Sequence, residues 1–323
     1  MQRRPRKERG ISAEAAAQAA AQRACEERRA KRLAKGNFRL KYAAFYIIIT
    51  DVRTGTAPQR PGAGRQMGQQ RVIYYTDEMN EEFSEFKTEP PYIGGDYVYI
   101  RDSARDRFLG FFLYYIVFYP AAFFYSRVIL GQKTVGRKLL RPYLKKGLFL
   151  YGNHTQPTGD AFMQTTLTFP RKNYVIVDPR NLKVPVVGRA TPHLGALPLP
   201  SDMKAFRNFR NAVAQRVREG HAVVIYPEAH IWPYYTKIRP FPDNSFGYPV
   251  SLDVPAFCFT NTYVKRLFGR KPRIVTYVDG PFFPDKNLDA RAARQKLRDE
   301  VYAKMCERAG NSTVEYIKYI RKT

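Results

Sequence analysis

Five short apolar runs constrain this chain more than anything else in it: residues 148–151, 174–177, 222–226, 256–259 and 274–278 are built almost wholly of Leu, Val, Ile, Phe, Tyr and Ala. Runs of this length without polar alternation are strands buried on both faces, as parallel strands covered by helices are. Helical patterns lie between them. Residues 204–219 carry Phe206, Phe209, Val213 and Val217 at helical spacing and stop at Gly220; a second helix is expected from near Asp160, and a basic amphipathic one over 288–306. The alternation predicts an α/β fold with a mixed, largely parallel sheet flanked by helices.

Charge and cysteine usage bound the surroundings. A formal net charge of +27 over 323 residues calls for a polyanionic neighbour, either nucleic acid or anionic lipid headgroups. Cys25, Cys258 and Cys306 are odd in number, far apart and without metal-ligand spacing, which suits a reducing compartment. The aromatic residues fall mainly in apolar runs rather than among the cations, which argues against nucleic acid. The longest uncharged apolar stretch, 108–124, is flanked by Arg101, Arg105 and Arg107 on one side and by Arg127 and Lys133 on the other. It falls short of the ~20 residues of a spanning helix, and its tyrosines and the Tyr119-Pro120 step suit a segment lying in the interface. A buried core helix is the competing reading. The expected location is the cytoplasmic face of a membrane, peripheral or monotopic, with an anionic membrane surface as partner.

Three regions follow. Residues 1–70 read as a basic, disordered extension ending in a Gly/Pro-rich linker, with one β-favouring run at 42–50; 71–140 hold the membrane-associating segment; 141–323 form the catalytic domain. No secretory signal peptide is visible. Nothing before Met67 carries chemistry, so the working protein is expected to begin near that residue.

Two strand ends carry the reactive side chains. After 148–151 comes Gly152-Asn153-His154-Thr155-Gln156-Pro157-Thr158-Gly159-Asp160, and after 222–225 comes Tyr226-Pro227-Glu228-Ala229-His230. In a parallel sheet, ligands collect at the carboxyl ends of the strands, so His154 and Glu228 should face one pocket if their strands are neighbours. A neutral imidazole takes a proton from a hydroxyl near pH 7, and a carboxylate can fix its tautomer and support the imidazolium. Pro157 and Gly159 rule out a continuous helix from His154 to Asp160, leaving a loop that can curl back. Asp160 also stands where a helix N-cap would. The usual metal-ligand spacings, phosphate-cradling glycine loops and the Gly-x-Ser-x-Gly elbow are all missing. His193 and His221, beside glycines at element ends, read as structural.

Four blocks in order over about 147–281 resemble the glycerolipid acyltransferase family, the PlsC-type lysophosphatidate acyltransferases. They are Asn153-His154 with Asp160; Lys183-Val184-Pro185-Val186-Val187-Gly188 followed by Leu194-Gly195-Ala196-Leu197-Pro198-Leu199; Tyr226-Pro227-Glu228; and Val254-Pro255-Ala256-Phe257-Cys258. The resemblance implies transfer of an acyl group from acyl-CoA or acyl-carrier protein, as co-substrate and without a cofactor, to a hydroxyl of a lysophospholipid or related lipid acceptor. His154 would be the base, Asp160 its orienting partner, and Asn153, Glu228 and His230 part of the substrate site. Three departures stand out. The His-to-Asp loop is one residue longer than the family's; Ala229-His230 replaces the family's Gly-Thr; and Leu199-Pro200-Ser201-Asp202 has no arginine where the family often binds the acceptor phosphate. Lys204, Lys237 or Arg239 is expected to supply that cation. Two other readings remain open on the residues alone: an ester or thioester hydrolase with His154 activating water, and a non-catalytic basic protein binding membrane or RNA.

Overall fold

The computed structural model describes residues 70–83, 88–184, 187–269 and 271–322. The extension, the run 42–50, the linker and the start near Met67 lie outside the described residues. The strands are β1 (Arg71–Tyr75), β2 (Lys133–Val135), β3 (Leu148–Gly152), β4 (Asn173–Val177), β5 (Ala196–Pro198), β6 (Ala222–Ile225), β7 (Ala256–Val264), β8 (Arg273–Phe282) and β9 (Ile317–Arg321). The helices are α1 (Ala104–Ile129), α2 (Met163–Thr168), α3 (Thr191–Leu194), α4 (Met203–Arg218), α5 (Gly247–Leu252) and α6 (Ala290–Ala309).

Seven strands form one sheet in the order β2-β8-β7-β3-β6-β4-β5. β7, β3, β6, β4 and β5 are mutually parallel; β8 returns antiparallel to β7, and β2 lies parallel to β8. The mixed, mostly parallel sheet flanked by helices is therefore the architecture, and all five apolar runs are strands in it.

Period-two alternation divides the central strands between two cores. Phe149, Tyr151, Val223, Ile225, Ala256 and Cys258 meet Phe209, Val213 and Val217 of α4 and Leu297, Val301 and Met305 of α6. Leu148, Leu150, Ala222, Val224, Phe257 and Phe259 face the other way, onto Leu140 and Leu167. Burial on both faces is why these strands show no polar alternation. α4 and α6 start on aspartate caps: Asp202 accepts from the Ala205 N–H, and Asp289 accepts from the N–H groups of Arg291 and Ala292.

α1 is one helix of 26 residues, long and apolar enough by length and composition to cross a membrane. Tyr119-Pro120 does not break it. The stretches Phe112–Phe118 and Tyr125–Ile129 on either side are π-wound, and such widening accommodates a residue that cannot donate to the helical ladder. Tyr114, Ala122, Tyr125 and Ser126 turn inward, with the Tyr114 hydroxyl donating to Asn173 Oδ1 at 2.7 Å, while Phe108, Phe111, Phe112, Ile116, Phe123, Phe124 and Val128 are exposed.

Two pairings cross the sequence boundary drawn between 140 and 141. β2 is an edge strand of the main sheet, and β1 pairs in parallel with β9, Arg71 opposite Ile317 through Tyr75 opposite Arg321.

Candidate active site

β3 and β6 are neighbours, with Tyr151 opposite Ile225, so the loops that follow them leave the sheet side by side. Gly152, the last residue of β3, passes over the Phe259 ring so closely that a Cβ there would lie 2.1 Å from it; no larger residue fits. The two loops are then laced together by main-chain bonds: the Trp232 N–H donates to the His154 carbonyl at 3.0 Å and the Tyr234 N–H to the Thr155 carbonyl at 2.9 Å.

The His154 loop curls back on itself. The Asp160 N–H donates to the Gln156 carbonyl at 3.0 Å, and the Gln156 N–H donates to Asp160 Oδ2 at 2.9 Å. The same Oδ2 lies 2.8 Å from His154 Nδ1. Asp160 thus closes the longer loop and caps no helix: α2 starts after Phe162 without a side-chain cap. The His154 side chain is 18% exposed against 3% for Asp160, which leaves the ring reachable above a buried acid. Its face stacks on Tyr226 at 4.4 Å, and the Tyr226 hydroxyl donates to the Asp160 carbonyl at 2.7 Å. From below, the Tyr263 hydroxyl donates to Thr155 Oγ1 at 2.7 Å and accepts from Gln156 Nε2 at 3.0 Å.

Electrostatics follow from this burial. Desolvation pushes the Asp160 carboxyl above the usual carboxylate range, with the hydrogen bonds from His154 and the Gln156 N–H pulling it back. Nδ1 held against a carboxylate carries the proton, so Nε2 presents its lone pair outward. No hydrogen bond engages Nε2 among the described residues.

Glu228 lies beside the pair but is buried, not open to solvent. Its Oε2 accepts from the His154 N–H at 3.4 Å and from Arg239 Nη2 at 3.3 Å, and its Oε1 has no hydrogen-bond partner. Burial raises its carboxyl, and the Arg239 guanidinium opposes the rise. Arg239, a sequence candidate for the acceptor's cation, has no exposed surface at all. Its guanidinium donates to the carbonyls of Glu228, His230 and Glu78 and lies 5.0 Å over the Trp232 ring. In this arrangement it neutralises Glu228 and reaches no phosphate. Asn153 is likewise turned inward: its amide donates to the Asn261 carbonyl at 3.0 Å and accepts from the Asn261 N–H at 2.8 Å, tying the end of β3 to β7. Its side chain is a brace, not a substrate contact.

His230 stands at the rim with Nδ1 3.0 Å from Glu82 Oε2, and Arg180 beyond β4 holds Asp178 with two bonds of 2.8 Å. Lys204, in the first turn of α4, and Lys237 are both exposed. Among the described residues no hydrogen bond or ion pair joins either lysine to His154, Asp160 or Glu228. Sequence reasoning missed Glu82, Tyr226 as a ring partner, Asn261 and Tyr263. Only Tyr226 had a signal, its place just before Pro227-Glu228; the others lie far away in sequence.

No family model matches the chain, and no curated protein matches it. Among solved structures it is similar to the crystal structure of the 1-acyl-sn-glycerophosphate (LPA) acyltransferase PlsC from Thermotoga maritima, with 15% sequence identity and a TM-score of 0.44, over 65% of this chain and 80% of that one. A likeness at that identity and score does not say what this chain acts on. What the fold and site define is an α/β protein with a histidine–aspartate pair at the carboxyl edge of its sheet.

Proposed function

We propose that the chain is an O-acyltransferase working at the cytoplasmic face of an anionic membrane, moving a fatty acyl group from acyl-CoA or acyl-carrier protein to a hydroxyl of a lysophospholipid or related acceptor. One observation carries the reading: His154 Nδ1 rests on the buried Asp160 at 2.8 Å while the ring stays partly exposed. The ordered sequence blocks support the choice of acyl transfer among the reactions such a base can serve.

The chemistry needs no covalent enzyme intermediate, because a thioester is already activated. His154 Nε2 takes the hydroxyl proton as the oxygen attacks the thioester carbonyl, and the imidazolium that forms is steadied by Asp160. Collapse of the tetrahedral oxyanion breaks the C–S bond, and the departing thiolate takes from His154 the proton that came from the acceptor hydroxyl. Tyr226 limits tilting of the ring, and Glu228 holds the loop through the His154 N–H. Holding the two substrates in register supplies much of the remaining acceleration.

The test is incubation of the purified protein and a lipid extract with labelled acyl-CoA or acyl-carrier protein, with the labelled product identified by mass. An acylated lipid whose formation needs His154 supports the reading. Release of free fatty acid in its place indicates a hydrolase. His154→Ala is expected to lose nearly all transfer while remaining folded, and substantial residual turnover would remove His154 from the role of base.

A further inference from the structure

Away from His154, the structure gathers positive charge without a counter-charge. The segment after β2 and the turn before β4 both lie at the amino ends of the parallel strands, whereas His154 follows the carboxyl end of β3. Between them is an open cavity of about 400 Å³ lined by Arg137, Arg141, Leu144, Leu167, Phe169 and Pro170. Arg137 is fixed in place, its Nε and Nη2 donating to the carbonyls of Leu167 and Phe169 at 3.0 and 2.6 Å. Arg127 of α1 donates to the Gln132 carbonyl at 2.9 Å and is near enough to feel the charge of Arg137. Arg141 is exposed. Among the described residues no carboxylate pairs with any of the three.

Guanidinium groups brought together repel unless an anion sits among them; Arg141 presents its planar fork to a phosphate, while Arg137, with Nε and Nη2 on carbonyls, presents its Nη1. The neighbourhood says which kind of phosphate. Phe169, in the cavity wall, stacks at 3.9 Å on Tyr119 of α1, the same helix that turns Phe112, Ile116, Phe123 and Phe124 outward. A phosphate site beside exposed apolar surface suits a phospholipid headgroup at a membrane interface.

We infer that this cavity is a headgroup site, in which Arg137 and Arg141 take the phosphate of an anionic membrane phospholipid whose chains run along the exposed face of α1. The site lies at the amino ends of the parallel strands, away from His154 at the carboxyl end of β3, so it stands whether or not His154 is a catalytic base.

Sedimentation with vesicles of phosphatidylcholine, with and without phosphatidylglycerol, tests it in the His154→Ala chain, which removes turnover. Arg141→Gln and Arg137→Lys are each expected to weaken binding to anionic vesicles roughly fivefold. Lys138→Gln and Lys145→Gln, exposed neighbours with the same loss of charge as Arg141→Gln, should change it by less than about twofold. Equal losses for Arg141→Gln, Lys138→Gln and Lys145→Gln, with none for the charge-conserving Arg137→Lys, would mean diffuse attraction to a basic surface and would overturn the site, as would binding indifferent to phosphatidylglycerol. A calorimetric titration with inorganic phosphate separates the sources. Weak, Arg141-dependent binding agrees with a headgroup, whereas tight phosphate binding that blocks vesicle association would reassign the cavity to a free phosphate.

Discussion

Asp160→Asn separates the charge of the acid from its hydrogen bonds. Both the His154 and the Gln156 contacts fall on a single oxygen, Oδ2, while Oδ1 is buried without a partner. An asparagine with its carbonyl oxygen in the Oδ2 position keeps both bonds and the tautomer of His154. What it removes is the negative charge that supports the imidazolium. At about 4 Å between charge centres and an effective dielectric of about 20, that support is worth ~4 kcal/mol, so turnover should fall about 10²- to 10³-fold. Stability should hardly move. Burying a neutral amide avoids the desolvation that raises the Asp160 carboxyl, and this offsets the amide N–H₂ left without an acceptor at Oδ1, leaving a net change of about 1 kcal/mol or less. Initial rates of acyl transfer measured alongside urea unfolding read both quantities. A rate within about threefold of the parent with unchanged stability would reduce Asp160 to a loop clamp. A large loss of stability would mean that the slower rate reports a damaged fold.

Arg239→Met leaves Glu228 buried without its counter-charge and should destabilise the fold by about 3–5 kcal/mol in denaturant unfolding; a variant that stays stable and loses only acceptor affinity would restore Arg239 to the substrate site. Ala229 sits at φ 63° and is exposed, so Ala229→Gly should raise stability by about 0.5–1 kcal/mol, and a destabilised variant would contradict the strain. Lys172, between Tyr114 and Tyr174 with its ammonium on the His193 carbonyl, is pulled by burial from 10.5 to about 8. The folded state therefore holds this proton less tightly than the unfolded state, at a cost of about 3 kcal/mol at neutral pH that is relieved as pH rises from 8 to 10.5. Lys172→Met should be more stable than the parent at pH 7 by about 1–3 kcal/mol, with the gap closing across that window; a pH-independent difference would rule out the desolvated lysine.

The sheet was legible because its central strands are buried on both faces, which writes an unbroken apolar run into the sequence. β1, β2, β5 and β9 were not: three of them are edge or isolated-pair strands with exposed positions, and β2 and β5 have only three residues each. The His154–Asp160 contact could be anticipated because both partners lie in one short loop, where Pro157 and Gly159 forbid a continuous helix. The fate of Glu228 could not. Whether a carboxylate after a strand faces solvent or the interior depends on what covers it, and the cover comes from Arg239 and from residues 78–82, some 150 positions away. The burial of Arg239 is hidden for the same reason, since a cation reads as a surface charge until its aromatic and carbonyl surroundings are known. The family resemblance puts Asn153 in the substrate site, yet its pairing with Asn261 of β7 is a tertiary bond that no local pattern announces.

The parallel pairing of β1 with β9 joins residues 246 positions apart, Arg71 with Ile317 among them, and sets Tyr75, Phe83 and Tyr319 around Trp232. That nest supports the loop which grips the backbone of His154. On the ribosome, the main sheet's strands have all been made before β9 emerges, so the nascent molecule has its scaffold early and its working loop late. Shortening or masking the final strand should therefore yield a protein that looks folded by circular dichroism and yet has a slack, idle centre.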